Sequence, residues 1–339
     1  MRPAKQNETR KTLGDTVLRV NNLQVDFETP LGTVRAIDGA NFDLRAGETL
    51  AILGESGSGK SVSAAAVMGL VPSPPGRISG GEVLLGDRDL VRISAREMRR
   101  VQGDRIAMVF QDAITSLNPG LTVGYQIAEP LRVKQGLSRA AARKRAIELM
   151  ERVQIASAAQ RVDDYPHQFS GGMSQRVMIA MALALDPEIL IADEPTTALD
   201  VTVQAQIMDL LRNLQRETGM AIILITHDIG VAAEMADRVA VMYAGRIVES
   251  GPVQDILYKP SHPYTIGLMD SIPTLEQKFQ RLRQIDGAPP VMTAVPKGCA
   301  FHPRCARATD LCRTQRPEVV YLSPQHGSAC HYAKEVTRE

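Results

Sequence analysis

Three short stretches carry residues suited to holding and cleaving a phosphate chain. The first is Gly54-Glu55-Ser56-Gly57-Ser58-Gly59-Lys60-Ser61, which fits G-x-x-x-x-G-K-[ST]. Its glycines let the backbone curl with N–H groups pointing inward at an anion. Lys60 brings a positive charge to the β- and γ-phosphates, and Ser61 offers a hydroxyl to Mg²⁺. The bland alternative is a glycine-rich turn. The second stretch is Asp193-Glu194, which follows the four apolar residues 189–192. Adjacent side chains on a strand point to opposite sides, so one acid can hold Mg²⁺ while the other faces an attacking water. The third is Ser170-Gly171-Gly172, directly ahead of a helical pattern. A small polar residue and two glycines at a helix N-terminus form a second anion site, or an ordinary N-cap with a glycine turn. His227 ends the apolar strand that follows Asp193-Glu194. That position makes it a candidate γ-phosphate sensor, against a purely structural histidine. Phe27 can stack on a nucleotide base or simply belong to the core.

A fourth group lies apart. All four cysteines, Cys299, Cys305, Cys312 and Cys330, fall in the last forty-one residues, spaced C-x5-C-x6-C-x17-C. In a reducing compartment such a cluster favours a metal site over disulfides. The spacing matches neither zinc-ribbon pairs nor the bacterial ferredoxin run, so iron–sulfur, zinc and plain thiols all stay open. His302, His326 and His331 are possible substitute ligands or free surface histidines.

These groups need elements to position them. The run 48–53 reads as a short buried strand, and 61–70 as a helix whose N-terminus faces the phosphate. Upstream, 17–27 and 34–44 alternate like strands and, with 48–53, predict an antiparallel β-rich subdomain. A Pro/Gly-rich break at 72–76 precedes a hairpin over 82–91 around Gly86-Asp87. Residues 105–110 form a strand ending on Gln111, followed by a loop over 112–120. Helices fill 123–157, and another is expected over 177–185. Alternating strands and helices continue through 188–192, 201–215, 221–226 and 229–236, ending in a hairpin over 238–250. The alternation is that of an α/β fold.

The 339 residues allow one large domain with an appendage. Lys+Arg 39 against Asp+Glu 38 leaves almost no net charge, which argues against binding dominated by nucleic-acid phosphates. No apolar run approaches the ~20 residues of a membrane span, and the polar N-terminus lacks a signal-peptide core. The expectation is a soluble, cytosolic chain with residues 1–15 as a disordered lead-in.

Taken together, the motifs resemble the ATP-binding subunits of ABC transporters, in the family's order over about residues 17–270. Walker A is 54–61, the Q-loop glutamine is Gln111, and the signature is Ser170-Gly171-Gly172, with Phe169 and Met173 replacing the usual Leu and Gln. Walker B is Asp193, the catalytic base is Glu194, the D-loop is Ala198-Leu199-Asp200, and the switch histidine is His227. Phe27 lies near the family's aromatic A-loop position. VFQDAITSLNP, YPHQFSGGMSQRVMIAMAL and His262-Pro263-Tyr264-Thr265 are similar to the oligopeptide/dipeptide importer ATPases, particularly their D-type subunit.

The resemblance implies an ABC-type P-loop ATPase domain over 16–255. It would comprise a RecA-like parallel-sheet core, an antiparallel β subdomain and a helical signature subdomain at about 112–178. A small Cys-containing C-terminal extension would occupy 256–339. It also implies ATP and Mg²⁺ as ligands, with Ser61, Gln111 and Asp193 around the metal, and a [4Fe–4S] cluster on the four cysteines. The implied partners are a second ABC ATPase subunit in a heterodimer, two transmembrane permease subunits and an extracytoplasmic substrate-binding protein. The implied location is the cytoplasmic face of the inner membrane. Alternatives are another cargo, such as nickel complexes, or a non-transport ABC ATPase. The single Walker A and the lack of a long heptad coiled coil between Lys60 and Ser170 weigh against the latter. A P-loop regulator that binds nucleotide without hydrolysing it is disfavoured by Glu194 beside Asp193.

Overall fold

The computed structural model describes residues 14–30, 32–197, 199–271 and 285–336. Most of the expected lead-in and Ala198 lie outside them; Gly14 and Asp15 are already tied by backbone hydrogen bonds to Ala46. Two sheets organise the rest. In chain order the strands are β1 (Thr16–Thr29), β2 (Gly32–Arg45), β3 (Thr49–Leu53), β4 (Gly76–Leu85), β5 (Arg88–Asp89) and β6 (Ile106–Val109). They continue with β7 (Ile189–Asp193), β8 (Ala221–Ile225), β9 (Arg238–Tyr243), β10 (Arg246–Pro252), β11 (Val320–Ser323) and β12 (His326–Ser328). The first sheet is antiparallel, in the order β2-β1-β4-β5. The second has eight strands in the order β11-β12-β10-β9-β3-β8-β7-β6, parallel from β9 to β6 and antiparallel beyond β9.

The run 48–53 does not join the antiparallel sheet. β3 lies in the middle of the parallel one, between β8 and β9. All five of its residues are buried, as are all five of β7 and of β8. Strands covered on both faces by crossover helices must be apolar throughout, and only the parallel sheet offers two covered faces. The hairpin around Gly86-Asp87 forms, but its first strand begins at Gly76 and takes in Gly80 and Gly81. Gly81, at φ +86°, allows this: a Cβ there would sit 2.4 Å from the Asn22 carbonyl oxygen across the irregular β1 pairing.

A helical layer covers one side of the parallel sheet. Helix Val123–Gln135 starts on the Thr122 N-cap and stops at left-handed Gly136, and helix Arg139–Arg152 starts on Ser138. Together with helix Gly171–Ala182 they enclose one apolar cluster that includes Ile127, Leu149, Ile179 and Leu190. A second cluster joins the two sheets through Leu18, Ile37, Ile52 and Ile223. A third, built on Tyr243, Tyr264 and Phe301, lies under the C-terminal extension. Among the described residues no helix is long and apolar enough to cross a membrane.

Candidate functional site

The phosphate loop leaves the C-terminal end of β3 and runs into helix Lys60–Val67, whose first turn includes Lys60 itself. Two glycines are demanded by this path. A Cβ on Gly54 (φ +156°) would lie 2.2 Å from the Met242 carbonyl oxygen. One on Gly59 (φ +109°) would lie 2.7 Å from Ile37 Cδ1. Lys60 is buried, and its Nζ donates to the carbonyls of Gly54 at 2.7 Å and Glu55 at 3.0 Å. Burial pulls the lysine pKa below its ordinary value, opposed by Glu194, Asp193 and Glu55. Ser58 Oγ is buried within the loop and has no hydrogen-bond partner among the described residues.

Neighbouring β7 brings the acids to the same place. Ser61 donates to Asp193 across 3.1 Å, so two hard oxygen donors of the kind Mg²⁺ takes stand side by side. Burial pushes the Asp193 carboxyl above its usual range, the Ser61 hydrogen bond opposes this, and the nearby Glu194 carboxylate adds to it. Glu194, the residue after β7, adopts a left-handed φ of 46°, while its N–H still donates to the Ile225 carbonyl at 2.8 Å. Its carboxylate meets three groups. Gln111 Nε2 donates to Oε2 at 3.0 Å, Thr197 Oγ1 donates to the same oxygen at 2.9 Å, and His227 Nδ1 is 3.2 Å from Oε1. Thr197 is the member that sequence reasoning missed, although it stands only three residues beyond Glu194.

The remaining expected residues are not drawn into this centre. Ser170 caps helix Gly171–Ala182 and accepts from the Met173 N–H, so the helix begins on the glycines themselves and not at Val177. Among the described residues no hydrogen bond or ion pair links Ser170, Gly171 or Gly172 to 54–61. Asp200 caps helix Val201–Thr218 through Val203 N–H. Phe27 pairs across the antiparallel sheet with Val34 and Gly76, and a Cβ on Gly76 would come within 2.8 Å of its ring.

The four cysteines line one cavity, together with His262, His302 and His331. All four are free thiols. Burial raises the pKa of Cys299 and Cys305, and that of Cys330 to about 11. Among the described residues no three His, Cys, Asp or Glu side chains converge tightly enough to hold a metal ion. The four cysteines thus share a cavity, but the ligand set expected for a [4Fe–4S] cluster is not assembled there. His326 is not at this cavity; it is buried and bonds Glu249 at 2.8 Å, which fastens β12 to β10.

Comparisons with known proteins identify the family. A family model described as ABC transporter matches residues 37–197, and one described as the oligopeptide/dipeptide transporter C-terminal region matches 248–312. The oligopeptide transport ATP-binding protein OppD of Bacillus subtilis is 54% identical over 311 residues, spanning 91% of this chain and 87% of that protein. The dipeptide transport ATP-binding protein DppD of the same organism is 50% identical over 316 residues, spanning 93% and 94%. A solved dimeric ATP-binding cassette, in a post-hydrolysis state bound to ADP and phosphate, superposes with a TM-score of 0.63 at 30% identity. It covers 70% of this chain and 98% of its own. The chain belongs to the ABC transporter family, as an ATP-hydrolysing subunit of the oligopeptide/dipeptide transporter branch.

Proposed function

We propose that this subunit powers import of oligopeptides or dipeptides across the cytoplasmic membrane, bound at its cytoplasmic face. It pairs with a second, related ATPase and drives two transmembrane permease subunits, which receive cargo from an extracytoplasmic substrate-binding protein. The observation that carries the chemistry is the Glu194 carboxylate, held by Gln111, Thr197 and His227 beside the Ser61–Asp193 oxygen pair.

In this reading the substrate is Mg²⁺·ATP. Lys60 and the N–H groups of 54–61 cradle the β- and γ-phosphates, while Ser61, Asp193 and Gln111 surround the metal. Phe27 stacks on the base. Glu194 orients and polarises the attacking water, and His227 holds the γ-phosphate region. Ser170, Gly171, Gly172 and Asp200 face the partner's nucleotide, so each ATP is shared across the dimer and its hydrolysis releases the closed state.

Cys299, Cys305, Cys312 and Cys330 line one cavity, and cysteine sulfur is the usual ligand of iron–sulfur groups, so we assign these four residues to a [4Fe–4S] cluster. The cluster would tie the extension together and takes no part in hydrolysis.

One preparation tests both assignments. The tagged chain, purified anaerobically from native membranes in mild detergent, is expected to bring down two multi-spanning proteins and a second ATPase, and to contain iron and acid-labile sulfide. Ribosomal or DNA-repair partners without membrane proteins would overturn the transport reading. Iron-free protein with four titratable thiols would remove the cluster.

A further inference from the structure

The phosphate loop is gripped from behind by the C-terminal extension. The backbone N–H of Glu55 donates to the Tyr264 hydroxyl at 2.8 Å. The Glu55 carboxylate receives a two-pronged guanidinium from Arg304, with Nη1–Oε2 at 2.6 Å and Nη2–Oε1 at 3.0 Å. Arg304 stands 249 positions further along the chain, in the short 3₁₀ turn His302–Arg304. Its side chain is only 5% exposed. The rest of the guanidinium is committed too: Nε donates to the Asp286 carbonyl at 3.0 Å, and the group lies 5.9 Å from the centres of the Tyr243 and Phe301 rings. A planar fork held this way fixes position as well as charge.

Glu55 is also where the resting lysine sits. Lys60 Nζ donates to the carbonyl of Glu55 and to that of its neighbour Gly54. The extension thus grips the same residue whose backbone receives the catalytic cation's hydrogen bond. We propose that Arg304 is a positioning residue for nucleotide binding: by clamping Glu55 it fixes the first half of the phosphate loop, and with it the place from which Lys60 meets the phosphates. The inference rests on the reading of 54–61 as the phosphate loop. The competing role is a tertiary staple that only holds the extension in place; such a staple would lower stability and leave ATP affinity alone.

The test is Mg²⁺·ATP affinity and turnover of the full chain in its complex, with melting temperature measured alongside. Arg304→Ala is expected to weaken ATP binding about tenfold, equivalent to about 1.4 kcal/mol, with a smaller change in kcat. Arg304→Lys keeps the charge but loses the fork, and falls between. Combining Arg304→Ala with Glu55→Gln adds little to either alone, because both remove one contact. An Arg304→Ala protein with ATP affinity within twofold of the unaltered chain and a lowered melting temperature would overturn the proposal. If that variant does not fold, Arg304→Lys and Tyr264→Phe carry the test, and unchanged affinity in both overturns it. Lys60→Ala separates the two readings: it must lose ATP binding if 54–61 is the phosphate loop, whatever Arg304 does.

Discussion

The two glycine loops of this molecule differ in what requires their glycines. In the phosphate loop the demand is internal. Gly54 and Gly59 hold left-handed or extended-positive φ values, and a Cβ on either would strike Met242 or Ile37. Lys60 is buried, and its ammonium is already hydrogen-bonded to the loop's own carbonyls. At Ser170-Gly171-Gly172 the demand is divided. Gly172 is needed inside, since a Cβ there would lie 2.6 Å from Val203 Cγ1. Gly171 is not: among the described residues its Cβ would meet only Leu199 Cδ2, at an ordinary 3.6 Å, and its φ is not positive. One loop is finished by its own chain, whereas the other keeps a bare backbone that its own fold does not call for. A helix N-terminus with a missing side chain suits close approach by an anion from outside, as the proposed shared-nucleotide dimer would require.

The largest effect should come from the finished site. Glu194→Gln keeps an oxygen that can accept from Gln111 and Thr197, so the local geometry survives while the negative charge that polarises water is lost. Phosphate release by the assembled complex is expected to fall by ~10²–10⁴-fold, with ATP still bound. Near-normal turnover would break the comparison at its root, because the chain's own carboxylate would then not be the working one.

A middle-sized effect tests the internal demand directly. Gly54→Ala places a methyl group against a backbone carbonyl that cannot swing aside as a flexible side chain would. It is expected to destabilise the chain by roughly 1–3 kcal/mol or more, seen as a lowered melting temperature, and to impair ATP binding with it. An alanine variant as stable as the parent would mean that the loop has room the geometry denies.

Much of this was legible in the sequence for a physical reason: phosphate binding needs particular residue types at short, fixed spacings. The loop 54–61, the pair Asp193-Glu194, and His227 two residues beyond β8 therefore lie together. What stayed hidden depends on distant partners. The run 48–53 reads equally well as a strand of either sheet, and only burial on both faces assigns it to the parallel one. The start of helix Gly171–Ala182 was obscured because glycines read as turn residues, although Ser170 supplies the cap. Arg304 on Glu55 joins positions 249 residues apart, and no local pattern announces such a pair. His326 looked available as a ligand until β12 placed it against Glu249.

The smallest structural effect is the sharpest test of the contrast. Gly171→Ala adds a methyl group at the first position of a helix, where the chain offers it ordinary contact distance. Alanine is also the better helix former, so stability should be unchanged or raised by up to about 1 kcal/mol. ATP affinity of the isolated subunit should be unchanged as well, since no hydrogen bond or ion pair joins this residue to 54–61 among the described residues. Phosphate release by the assembled pair should nonetheless drop, because the added methyl group meets the partner's nucleotide. A variant that folds well, binds ATP normally and works at full rate in the complex would show that the bare backbone at 171 faces nothing, and would remove the reason for assigning this loop to the partner's site. A variant that folds normally and fails only when paired would place the loop's function outside its own chain.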